Sequence, residues 1–340
     1  MKTRLTCCLF LFILFSASGS AQQTPYASFY RANWQMVNPA AIDRSYYLSR
    51  HHNTLVFNSA FRQQWIGVDG APRTYFASVE WCPEQESKYV PGMKLGGTLI
   101  RDRTDAISTT SFLANYGYFF HLGRSQGHVL HLGLSGRINQ YHIDAEALRL
   151  KDNNDPVYQG IQAQPNYLYG DVALGMLYRV GQYFYAGLSI PSALKVNMSR
   201  QSDSLNIARE IRRHYFAMTG GYIPFGPEDP TDRDKLLYTF EPSFWMRYVP
   251  GVEYSTLFNG APFSFDANLR VHYRNQFWVG VGYGSNHNAQ VETGFTVRWN
   301  DHPNDVGTRL QAGLAYSFPA GNKLLAIGHS FELTLSYWGL

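Results

Sequence analysis

Residues Phe263 to Tyr273 read F-S-F-D-A-N-L-R-V-H-Y, and every odd-numbered residue is apolar while every even-numbered residue is polar. Successive side chains of a strand point to opposite faces, so this stretch predicts a strand with one apolar and one polar face. Ordinary strands have about 5–6 residues, whereas a tilted strand needs about 9–11 residues to cross a bilayer. The unbroken register therefore indicates a membrane-spanning strand.

Comparable alternation returns about fourteen times along the chain, an even number, as bacterial outer-membrane barrels have. A sheet inside a bilayer must close on itself, because every backbone polar group needs a partner there. We therefore predict an all-β fold, a closed transmembrane outer-membrane β-barrel of about 14 antiparallel strands. A soluble β-sandwich or propeller is the alternative, but its strands would usually have about 5–6 residues. The predicted strands cover residues 53–61, 73–81, 92–101, 110–121, 128–140, 167–180, 182–190, 213–223, 236–248, 262–273, 276–285, 288–300, 308–318 and 328–338.

The N-terminus has the pattern of an export signal, with Lys2 and Arg4 before an apolar run and small residues after it. The apolar run is shorter than the about 20 residues that a transmembrane helix needs. We expect residues 1–21 to be a signal peptide and residues 53–340 to form the barrel. Residues 22–52 would be an N-terminal segment that either plugs the barrel or lies on its periplasmic side. The expected location is the outer membrane.

The composition narrows the class of protein further. Aromatic residues make up 16% of the chain, with 24 Tyr and 22 Phe, and the formal net charge is only +4. Since Lys2 and Arg4 would leave with the signal, the small remaining surplus does not indicate a nucleic-acid partner. Cys82 is the single cysteine after the signal, so no intramolecular disulfide is expected.

The polar faces of the predicted strands place charged residues of both signs inside the barrel. Paired Arg and carboxylate groups would brace the interior, because the guanidinium group makes bidentate contacts with a carboxylate. A selective pore would instead favour one sign of charge at its constriction, and solute conduction remains the alternative. The predicted lumen charges are Arg137, Arg179, Arg247, Arg270, Arg298, Asp171, Glu241, Asp266, Glu292 and Glu332.

Signatures of enzyme chemistry are weak throughout the sequence. The histidines lack the repeated spacing of a metal site, and the glycines between 280 and 284 precede no predicted helix that would complete a phosphate loop. Gly328-His329-Ser330 is not a G-x-S-x-G elbow. We predict no catalytic residues, no bound metal and no cofactor, and a lipid-active barrel enzyme is the weakest of the functional hypotheses.

The stretch R-Q-Q-W-I-G-V-D-G-A-P-R-T, residues 62–74, lies between the first two predicted strands. Asp69-Gly70 and Pro72 predict a turn, while Trp and Arg are the residue types that dominate interface hot spots. The residues alone allow either a structured loop over the barrel mouth or a loop that binds a partner.

Together with Asn38-Pro39-Ala40, this stretch resembles the PorP/SprF family of outer-membrane proteins from the type IX secretion system of Bacteroidetes. The family has a short N-P-A segment near the N-terminus, followed by R-x-Q-W-x-G-x-x-G-A-P-x-T. Weaker similarity continues at residues 185–191 and 329–335. The matching residues of the longer motif are Arg62, Gln64, Trp65, Gly67, Gly70, Ala71, Pro72 and Thr74.

The resemblance implies a non-enzymatic barrel that binds very large secreted surface proteins, often adhesins with a C-terminal sorting domain. It would help to export them or hold them at the surface, and in gliding bacteria connect them to the motility machinery. Implied partners also include the type IX translocon or periplasmic motility components, and outer-membrane lipid. A porin-like channel or transporter for small solutes is the alternative. The implied partner-binding or motif residues are Asn38, Pro39, Arg62, Gln64, Trp65, Gly67, Gly70, Pro72 and Arg73.

Overall fold

A computed structural model describes residues 34–44, 46, 53–84, 91–123, 127–148, 156–198, 213–229, 232–250, 262–285, 288–299, 308–320 and 328–339. The expected signal peptide, residues 1–21, lies outside the described residues. The described residues include two short helices, α1 (Trp34–Val37) and α2 (Pro156–Ala163). The strand segments are β1 (Thr54–Gln63), β2 (Arg73–Cys82), β3 (Gly92–Thr104), β4 (Ile107–His121), β5 (His128–Ile143), β6 (Asn166–Val180), β7 (Phe184–Asn197), β8 (Tyr215–Gly221), β9 (Ile223–Asp229), β10 (Asp232–Tyr248), β11 (Phe263–Tyr273), β12 (Phe277–Gly284), β13 (Asn288–Trp299), β14 (Thr308–Pro319) and β15 (Ser330–Gly339).

The strands form one closed antiparallel barrel. Neighbours in sequence pair with one another, and β15 pairs with β1 to close the sheet. Segments β8 and β9 both pair with β10 in one continuous register, Gly220 opposite Ser243 and Ile223 opposite Phe240, so they are two parts of one strand. Counted this way, the described residues form fourteen strands, and the fold predicted from the alternation is confirmed.

The two ends of the barrel differ in what they carry. The terminal end is where β1 begins and β15 ends. The loop end is opposite, and it carries the turns after β1, β3, β5 and β7. Exposed aromatic side chains lie on the outward face near both ends, as expected for the two interfaces of a membrane barrel. Examples are Trp81, Tyr273, Trp299 and Tyr337 near the terminal end, and Tyr75, Phe263, Tyr283 and Tyr316 near the loop end.

Two stretches that lie outside the predicted strands are partly regular. Strand β5 extends to Ile143, and helix α2 lies between the predicted strands 128–140 and 167–180. Strand β7 continues past Pro191, because a bulge between the pairs Leu174–Ile190 and Val172–Leu194 accommodates the proline. No helix among the described residues is long and apolar enough to cross a membrane.

The hydrophobic core lies inside the barrel rather than between layers. Apolar side chains of the N-terminal segment, residues 34–44 and 46, pack against a group of inward-facing apolar side chains on the surrounding strands. Trp34 lies against Tyr185, with ring centroids 4.7 Å apart and ring planes tilted by 50°. The sequence left open whether this segment plugs the barrel, and its described residues lie within the lumen. The contributing wall residues are Phe76, Cys82, Ile100, Leu113, Phe119, Val129, Leu177, Tyr185, Phe216, Met218, Tyr222 and Trp245.

Candidate functional site

A buried polar network fixes the N-terminal segment to β2 and β3. Glu80 Oε2 accepts a hydrogen bond from Gln35 Nε2 at 2.6 Å, and Oε1 accepts one from the backbone N–H of Asp43 at 2.8 Å. Lys94 Nζ lies 3.8 Å from Glu80 Oε2 and donates to the carbonyl of Ala41. Lys94 and Glu80 are 0% and 2% exposed, so this pair joins two strands to the segment without solvent between them.

Asn38, in the N-P-A segment, is bound deeper in the lumen and is fully buried. Its Nδ2 donates to the carbonyls of Met176 at 3.1 Å and Leu188 at 3.4 Å, which lie on β6 and β7. Its Oδ1 accepts from the N–H of Ala40 at 2.9 Å, as in an Asx turn, so the side chain orders its own backbone as well as the contact to the wall. Asn38 therefore anchors the turn that contains Pro39.

Two inward-facing glycines leave room for this turn. A Cβ at Gly133 on β5 would overlap the backbone of Pro39 and Ala40. A Cβ at Gly175 on β6 would overlap the amide of Asn38 and lie 2.9 Å from Cδ of Pro39. Because glycine has no side chain, the backbone of the segment can approach the wall at these positions. The N-P-A segment and the wall therefore have complementary shapes.

The opposite wall, β10 to β15, is lined by paired charges. Arg270 contacts Glu292 through two hydrogen bonds, of 2.7 Å and 2.8 Å, and His272 Nε2 lies 2.6 Å from Glu241 Oε2. A cavity of about 90 Å³, large enough to hold water, lies between this wall and residues Trp34, Asp43 and Arg44 of the segment. Ion pairs brace most of this half of the lumen, and Trp245 on β10 belongs to the apolar cluster around the segment.

The remaining predicted lumen charges also lie on inward positions. Arg137 and Asp171 are partners across β5 and β6, and Asp171 Oδ2 accepts from Ser192 Oγ at 2.5 Å. Arg247 Nε donates to Ser264 Oγ at 3.0 Å. Both signs of charge are thus spread around the wall. Arg179 and Asp266 are buried, and Arg298 lies on the inward face of β13 near the terminal end.

Arg62, from the second motif, lies at the seam where the barrel closes. It faces Glu332 across β1 and β15, and Nη1 of Arg62 lies 3.1 Å from Oε2 of Glu332. Both side chains are buried, at 4% and 1% exposed. The ion pair therefore joins the first strand to the last. The guanidinium group of Arg62 is bound to Glu332 inside the barrel.

The rest of the second motif forms a tight turn at the loop end, residues 64–72. Trp65 has a φ of 48°, which is uncommon for a residue with a side chain. Hydrogen bonds hold it there: its N–H donates to Ser330 Oγ at 3.3 Å, and the N–H of Ile66 donates to the carbonyl of His329 at 2.8 Å. Asp105, in the turn after β3, donates its N–H to the carbonyl of Gly70 at 2.9 Å. The turn is held from both sides.

The two motifs are separated in the structure. Asn38 and Pro39 lie inside the lumen, whereas Trp65, Gly67, Gly70 and Pro72 form the turn at the loop end. Gln64, the first residue of this turn, is buried, and Arg73 is exposed on the outward face. The sequence reasoning missed Glu80 and Lys94, although strict alternation along β2 and β3 places both on the inward faces.

Comparisons with known proteins agree with the architecture. The fold is similar to that of the CymD monoaromatic hydrocarbon channel, with a TM-score of 0.54, 11% identity, and 94% of each chain covered. A Pseudomonas aeruginosa FadL homologue aligns with a TM-score of 0.49, 10% identity, and 95% of each chain covered. No curated protein sequence matches the chain.

The sequence match is to a family. Residues 19–337 match the family described as "Type IX secretion system membrane protein PorP/SprF". The match includes both motifs and all of the described strands except the last two residues of β15. The resemblance seen in the two motifs is thereby confirmed, and the chain belongs to the PorP/SprF family of type IX secretion system membrane proteins.

Proposed function

We propose that this chain is a non-enzymatic outer-membrane barrel that binds a large type IX secreted surface protein, adhesin-like and carrying a C-terminal sorting domain. It helps to export this protein or anchors it at the surface. The proposal rests on the family and on the turn at the loop end. Even-stranded bacterial barrels have both termini on the periplasmic side, so the loop end faces the cell exterior.

The observation that carries the proposal is the construction of this turn. Ile66 and Val68 are each 45% exposed, although the backbone around them is held by Ser330, His329 and Asp105. Apolar side chains on a fixed backbone lose little conformational entropy when a partner covers them. The turn therefore has the properties of a preorganised contact surface. The backbone of Trp65 lies at the start of the turn and the exposed Arg73 follows it, whereas Arg62 pairs with Glu332 at the seam.

Contents of the lumen favour a binding barrel over a porin-like channel. The N-terminal segment occupies the space beside β2 to β8, and the cavity on its other side is about 90 Å³. Porins instead leave an open aqueous channel through the barrel. Purified protein in a planar bilayer is expected to stay closed. Reproducible conductance steps would favour the channel or transporter for small solutes.

The binding surface is tested by the double substitution Ile66→Ser and Val68→Ser. We expect normal amounts of folded barrel in the outer membrane and at least a tenfold loss of the surface protein from the cell surface. Loss of display follows because hot-spot residues typically contribute about 2 kcal/mol or more each. Surface proteolysis followed by mass spectrometry measures the exported proteins that carry the sorting domain.

The matched control is Leu122→Ser, which makes the same kind of change in an exposed turn at the terminal end. Display should stay at the wild-type level in this variant. If the loop-end variant and the control display the surface protein equally well, residues 66 and 68 do not form the binding surface.

A further inference from the structure

The outward face of β2 to β5 changes abruptly from apolar to polar near the loop end. One row across these strands is apolar and strongly exposed, and its members are Ala77, Leu99, Phe112 and Ile138. The next row towards the loop end consists of Tyr75, Arg101, Thr110 and Gln140. The row beyond it contains Arg73, Arg103 and Ser108. The change marks the edge of the lipid-facing band.

Three arginines meet at this edge, and we call Arg73, Arg101 and Arg103 the arginine cluster. Arg73 and Arg103 are direct partners across β2 and β3, an arrangement in which like charges destabilise a sheet. Arg101 lies diagonally from Arg73 on the same face, about 7–8 Å away between Cα atoms. All three are exposed, and none of their side chains has an ion pair or hydrogen bond with another described residue. An external anion would remove the repulsion.

The height of the cluster matches the level of lipid headgroups. Met93 is the first exposed outward-facing residue of β3, near the terminal end. At about 3.4 Å per residue, Arg101 lies about 27 Å further along the strand, or about 20 Å along the barrel axis at a tilt of about 40°. The apolar band of such barrels is about 25 Å tall, so the cluster lies at its boundary. Because the loop end is exterior, this boundary belongs to the outer leaflet.

We propose that the arginine cluster binds the phosphate groups of a phosphorylated lipid in the outer leaflet of the outer membrane. A guanidinium group contacts phosphate through two parallel hydrogen bonds, and it gives up water more readily than an ammonium group does. The hydroxyls of Ser108 and Thr110 share the cluster's face and add donors. Acyl chains of the same lipid would lie along Leu99 and Phe112, which are 50% and 55% exposed.

The direction of the cluster favours lipid over the secreted surface protein as its partner. The cluster points sideways from the wall, with the apolar row directly beneath it. A protein at the loop end would approach along the barrel axis, over the turn 64–72. The site does not depend on the function proposed above, since it is tested with purified protein and lipid alone.

The test is the triple substitution Arg73→Gln, Arg101→Gln and Arg103→Gln. The probe is lipid A, titrated into the folded full-length barrel in detergent, and the readout is the rise of the thermal unfolding midpoint with lipid concentration. Each arginine near an anionic lipid surface contributes about a fivefold preference, so the triple variant should need roughly 100-fold more lipid A for the same rise. Lipid A without its phosphates should raise the midpoint of the wild type little.

Controls separate the possible sources of the effect. Arg213→Gln removes an exposed arginine near the loop end of β8, away from the cluster, and should respond to lipid A as the wild type does. Equal responses of the triple variant and the wild type would overturn the proposal. So would an equal rise with dephosphorylated lipid A, or with inorganic phosphate at the same concentration. Loss of surface display with unchanged lipid A response would assign the cluster to a protein partner instead.

Discussion

The two walls of the barrel satisfy their polar interior in different ways. On the wall from β2 to β8, backbone and side chains of the N-terminal segment provide the partners, and Gly133 allows the segment to come close. On the wall from β10 to β15, strand side chains pair with one another, as Arg270 does with Glu292. The segment contacts mainly one wall, and its presence closes the barrel. The other wall keeps its own ion pairs. The two walls should therefore respond differently to substitution.

The largest effect is expected for Lys94→Met, in the wall that holds the segment. This change leaves Glu80 as a buried carboxylate without its cation and removes a donor from the carbonyl of Ala41. The free energy of unfolding should fall by about 3–5 kcal/mol, the usual cost of breaking a buried ion pair. Urea-induced unfolding of the barrel in lipid vesicles, followed by tryptophan fluorescence, measures the loss.

A second variant keeps this prediction falsifiable. Adding Glu80→Gln to Lys94→Met removes the unpaired charge, so part of the lost stability should return. A double variant at least as unstable as Lys94→Met alone would contradict the view that the unpaired carboxylate of Glu80 causes the loss.

An intermediate effect is expected for Gly133→Ala, which places a methyl group against the backbone of Pro39 and Ala40. Overpacking of this kind costs about 1–3 kcal/mol, and the segment can relieve it by leaving the wall. A cysteine introduced by Ala41→Cys, in a Cys82→Ser background, should react with a thiol reagent at least tenfold faster. Gly136→Ala is the control, because a Cβ at Gly136 would contact nothing within 4 Å. Equal labelling rates in the two variants would refute the close fit.

The smallest effect is expected for Glu292→Gln, in the opposite wall. The amide keeps one acceptor for Arg270, and the neighbouring cavity can supply water to the guanidinium group. The free energy of unfolding should therefore fall by only about 1.5 kcal/mol, at the low end for a hydrogen bond to a charged group. Labelling at position 41 should not change, because the segment contacts the other wall. A loss as large as that of Lys94→Met would remove the distinction between the two walls.

Much of the barrel was predictable because alternation is local. In β11, the inward positions of Asp266, Asn268 and Arg270 follow from the period of two alone, and no long-range information is needed. The contacts of the motifs were not predictable in this way. Asn38 binds the carbonyl of Met176, which is 138 residues away in sequence, and no periodicity relates the two. In the sequence, Arg62 has the features of an exposed interface arginine, whereas the structure pairs it with Glu332 at the seam of the barrel.

The sequence by itself determined that this chain forms a long-stranded barrel with a polar interior, because residues 263–273 and their counterparts carry the period of a membrane-spanning strand. The two motifs also determined the family. Only the tertiary structure decided where the motifs act. Register across strands brings Glu80 and Lys94 to the N-terminal segment, and it aligns Arg73, Arg101 and Arg103 on one outward face. Pairing across strands is a property of the closed sheet, and no single strand contains it.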